Sequence, residues 1–109
     1  MGALEWLNRL FRGLGMESLK IELLAIIKDM AYEDPSSPDV QASMQELCQS
    51  IVTVLQSKGR GYTLEQCLDD MAKALQEERA EIAAKVVGER IREFARRKKG
   101  AKGSGVSIL

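Results

Sequence analysis

From Thr63 to Gly100 the chain contains no proline and no cluster of turn residues, so nothing within that stretch ends a helix. It opens on T-x-x-Q, Thr63 to Gln66, a pattern in which the two side chains satisfy each other's free backbone N–H groups at a helix start. One helix of roughly 35 residues follows, about 50 Å long at 1.5 Å per residue. In a chain of 109 residues, the length of one domain with a modest core, everything else must be arranged around it.

Elsewhere the apolar residues also recur at helical spacing, and no segment alternates with the period of two of a half-buried strand. The fold expected is therefore all-α: a small four-helix bundle-like domain whose long last helix projects from the core. A first stripe, Leu4, Leu7, Leu10, Phe11 and Leu14, lies opposite Glu5, Asn8, Arg9 and Arg12, and Gly13 and Gly15 end it. A second helix runs from Met16 or Glu17 to Tyr32. Its apolar face (Leu19, Leu23, Leu24, Ile26, Ile27, Met30, Ala31) is so broad that a central, largely buried position is expected. Pro35 stops it, and Ser37 followed by Pro38 supplies an N-cap and a first-turn proline for a third helix. That helix carries Val40, Met44, Leu47, Cys48, Ile51, Val54 and Leu55 and ends at Gly59 and Gly61.

The last helix has two faces in sequence. Leu64, Leu68, Met71 and Leu75 form one stripe, QEERAE at 76–81 is almost wholly polar, and a rotated stripe follows through Ile82, Val86, Val87, Ile91 and Phe94. The first half packs on helices two and three, while Val87, Ile91 and Phe94 need another cover. Either the first helix folds back or a second copy packs there, and a homodimer is the reading favoured because symmetric dimers are the commonest oligomers. Gly88 lies in this half at a cost of about 1 kcal/mol relative to alanine, which a close helix crossing would offset. The organisation expected is an amphipathic N-terminal helix (1–15), a helical core (16–82), a basic projecting half-helix (83–99) and a flexible tail (100–109).

Charge is balanced overall, 16 basic against 16 acidic residues, but not along the chain. From Lys85 onward eight basic residues accompany only Glu89 and Glu93, a net +6, which leaves −6 on the preceding 84. Lys85, Arg92, Arg96 and Lys99 share one helical face, with Arg90 and Arg97 in a neighbouring row. Cations repeated along a rod suit a phosphate backbone, where counterion release supplies affinity without sequence preference. Lys85, Arg92, Arg96, Arg97, Lys98 and Lys99 are thus the nucleic-acid-binding candidates, for DNA or RNA. The other readings are a solvated helix end, a nuclear-localisation tract or attraction to acidic lipid. No aromatic residue interleaves to stack on bases.

Catalysis is not expected. The chain has no histidine, and neither a phosphate-binding glycine loop nor a metal-ligand spacing is present. Asp69 with Asp70, and Glu77 with Glu78 and Glu81, read as a solvated face paired at i, i+4 with Lys73 and Lys85. Cys48 and Cys67 lack CxxC spacing and read as buried core thiols, which points to a reducing, intracellular compartment, cytoplasm or nucleus. No cofactor and no metal are implied. No run approaches the ~20 apolar residues of a transmembrane helix, although peripheral membrane contact stays open.

The competing reading is an assembly adaptor, in which Leu4, Leu7, Phe11 and Leu14 dock in a partner's groove or on a lipid surface rather than on the chain's own core. The tail joins that reading. GAKGSG is a tether by composition, and VSIL resembles the C-terminal ligands of PDZ domains, a serine two residues before an apolar terminus. The resemblance implies that Ser107, Ile108 and Leu109 add a strand to a partner's sheet edge.

Overall fold

Four helices form where the local signals place them: α1 (Ala3–Leu10), α2 (Glu17–Met30), α3 (Pro38–Ser57) and α4 (Leu64–Gly100). They are seen in a computed structural model that describes residues 2–100, with side chains described for residues 2–98. The fold is all-α, in a four-helix bundle-like arrangement with a long C-terminal helix, and no strand occurs among the described residues. Among the described residues, 2–79 and 80–100 belong to two compact units.

The caps account for the boundaries. The Ser37 hydroxyl accepts from the Asp39 N–H at 3.2 Å, with Pro38 at the first helical position. At the start of α4 the Gln66 side chain accepts from the Thr63 N–H at 3.1 Å, and the Thr63 hydroxyl accepts from the Gln66 N–H at 3.2 Å. α3 ends in a Schellman motif: Gly59 takes φ +80°, its N–H donates to Gln56 O, and the Arg60 N–H donates to Leu55 O at 2.9 Å.

The core of residues 2–79 is built from one stripe per helix. α2 contributes Leu23, Ile27 and Met30, α3 contributes Val40, Met44, Cys48, Ile51, Val52 and Leu55, and α4 contributes Cys67, Met71, Ala74 and Leu75. Of the broad face expected of α2, Leu23, Ile27, Met30 and Ala31 are buried and Leu19 and Leu24 partly so, while Ile26 (40% exposed) stands at its edge.

α1 packs on α2, but with a stripe rotated from the expected one. Ala3, Trp6, Leu7 and Phe11 are buried while Leu4 is 50% exposed, because the large indole takes the inward position. A helix of eight residues has little stability alone, and here its two ends are tied down by charged side chains from far along the chain. The Ala3 N–H donates to the Glu78 carboxylate at 3.4 Å. At the other end the Arg60 guanidinium donates to Leu10 O at 3.1 Å and to Arg12 O at 2.6 Å.

These contacts correct the reading of the carboxylates as a uniformly solvated face. Asp69 is exposed and pairs with Lys73 at 3.5 Å, as expected, but Glu78 is buried. Asp70 accepts from the Tyr62 hydroxyl at 2.6 Å, and that hydroxyl accepts from the Trp6 indole N–H at 3.2 Å. Arg79 also turns inward: its Nε and Nη2 are buried without a hydrogen-bond partner.

Candidate nucleic-acid interface

In the unit that begins at Ala80 the helix continues without interruption to Gly100, and Lys85, Arg90, Arg92, Arg96, Arg97 and Lys98 are all exposed. Arg97 is ion-paired with Glu93 one turn earlier, a surface pair of small energetic weight. Lys99 belongs to the same helix. At about 100° per residue, Lys85, Arg92 and Arg96 lie roughly 140° around the helix from the row Ala84, Val87, Ile91 and Phe94.

That apolar row stays open: Val87, Ile91 and Phe94 are 55%, 63% and 66% exposed. Gly88 beside it has no steric requirement within the chain, since an added Cβ would meet only Arg92 Nη1 at an ordinary 3.7 Å. The unit thus presents two faces at once, one cationic and one apolar.

The other candidates fall elsewhere. Leu7 and Phe11 are buried, Leu14 is half-buried and Leu4 is exposed, so the first helix spends most of its apolar surface on its own core. Ser107, Ile108 and Leu109 lie outside the described residues. No helix among the described residues is long and apolar enough to cross a membrane, and no group of three or more acidic or cysteine side chains there is arranged to hold a metal ion.

Cys48, on α3, and Cys67, on α4, are fully buried and free. Cys48 Sγ also lies 3.7 Å from Met71 Sδ. The neighbouring Cys48 thiol, and then burial, push the Cys67 thiol well up from its ordinary value. Neither thiol should react with iodoacetamide in the native protein, and both should do so in denaturant, as read by intact mass.

Sequence reasoning missed Arg60, Tyr62, Glu78 and Arg79. Each is polar in a polar stretch; Arg60, Tyr62 and Glu78 take their roles from partners in other helices, and Arg79 is turned inward only by the packing.

The fold and the exposed faces define a class, a small all-helical protein with a cationic helix end. No protein-family model, curated protein or solved structure matches this chain.

Proposed function

We propose that this is a non-enzymatic helical binding protein, a homodimer that contacts the backbone of nucleic acid through Lys85, Arg92, Arg96, Arg97, Lys98 and Lys99. One observation carries the reading: Lys85, Arg92 and Arg96 are exposed on a continuous helix, about 140° around it from the exposed apolar row. A surface that pairs with protein on one side and offers repeated cations on another suits an extended polyanion, whose phosphates need charge and spacing rather than a shaped pocket.

Binding of labelled duplex RNA and duplex DNA, followed by fluorescence anisotropy across a salt series, tests it. On a DNA duplex the affinity should fall with a logarithmic slope near 0.9 per phosphate neutralised. Changing Arg96, Arg97, Lys98 and Lys99 to glutamine should reduce that slope by up to about 3.6 per chain and weaken binding on all sequences alike. Absence of binding at low salt, or a variant that binds as well as the parent, would sink the proposal.

A further inference from the structure

We infer that the apolar row Ala84, Val87, Ile91 and Phe94 pairs with the same row of a second copy in antiparallel orientation. The inference rests on the dimeric reading above and specifies how its partner sits. The row has the alternating spacing of three and four residues that forms a seam between two helices.

Side-chain size favours one orientation. In an antiparallel pair centred at residue 89, Val87 meets Ile91 of the second copy, and small Ala84 meets large Phe94. A parallel pair in register sets Phe94 on Phe94 and Ala84 on Ala84, crowded at one end and empty at the other. Gly88 flanks the antiparallel centre, where a close crossing uses the space that the chain itself leaves unused.

Charge points the same way. Residues 89–98 carry five cations and two carboxylates, while residues 80–88 carry one of each. An antiparallel pair sets the strongly basic half of each copy beside the balanced half of the other. A parallel pair sets the two basic halves side by side.

The orientation also decides where the cations go. The face of Lys85, Arg92 and Arg96 lies to one side of the apolar row, not diametrically opposite. In an antiparallel pair the two-fold axis is perpendicular to both helices, so both basic faces turn to the same side of the dimer. In a parallel pair the axis runs along the helices and sends them to opposite sides. The two copies of Arg96 then stand about 21 Å apart along the antiparallel rod, at 1.5 Å per residue. That is within the roughly 34 Å of one duplex turn, so one duplex can meet both faces.

Two differently tagged full-length copies, one carrying Glu81→Cys and the other Ala95→Cys, are co-expressed and treated with a short bis-maleimide. Both positions are exposed, and the native thiols are buried. The antiparallel pair brings position 81 of one copy beside position 95 of the other. The mixed link should therefore form, neither variant alone should link, and adding Ile91→Asp to both copies should abolish the link with helicity unchanged. Self-links in each variant alone would show a parallel pair and overturn the orientation. No link of any kind, or a mixed link that survives Ile91→Asp, would overturn the second copy as the occupant of this face. The salt series on the unmodified chain judges nucleic-acid binding separately. Binding without the mixed link removes only this inference, and the mixed link without binding removes only the proposed ligand.

Discussion

Leu7→Ala should lower the unfolding free energy by about 3 kcal/mol, while Leu4→Ala should change it by no more than about 0.5 kcal/mol. The two residues are one helical turn apart, and both belong to the stripe that periodicity identifies. Leu7 is completely buried, so truncation removes its transfer energy and leaves a cavity among well-packed neighbours. Leu4 is half exposed and loses little. Urea denaturation followed by circular dichroism measures both. Equal, small effects would show that α1 is not docked on the core in solution, and the adaptor reading of the first helix would then regain its basis.

Tyr62→Phe should cost about 2 kcal/mol at neutral pH, because it leaves the Trp6 indole N–H and the Asp70 carboxylate without the hydroxyl that joins them. The same hydroxyl predicts a pH dependence. Burial first, and then its bond to Asp70, push the Tyr62 phenol up from the ordinary value of 10.0. The native state therefore holds this proton more tightly than the unfolded chain does. The associated stability is fully present below pH 10, where the unfolded phenol is still protonated, and is lost progressively as the pH rises above it. Denaturation curves from pH 8 to 11 should show a decline above pH 10 that is shallower in Tyr62→Phe. Identical declines in the two proteins would show that the Trp6–Tyr62–Asp70 chain is not formed.

The exposed cations between Lys85 and Lys98 were legible because a charge run on an uninterrupted helix keeps its periodicity whatever the rest of the chain does. The apolar row at Val87, Ile91 and Phe94 was legible for the same reason. The inward turn of Glu78 and Arg79 was not, since QEERAE has the composition of a solvated face and its neighbours in sequence say nothing of α1.

By itself the sequence determined the all-α class, the number of helices and most of their ends. Those properties depend on contacts within about four residues: Ser37 before Pro38, the Thr63–Gln66 box and the glycine after α3. Only the tertiary structure decided which side of each stripe is buried and what holds α1 in place. Trp6 displaces Leu4 from the interior because its indole N–H reaches Tyr62, 56 residues away. Glu78 caps a helix start 75 residues earlier, and Arg60 closes its other end across 48 and 50 residues. A buried charge or indole takes its place from the partner that satisfies it, and here that partner is brought near only when the helices pack.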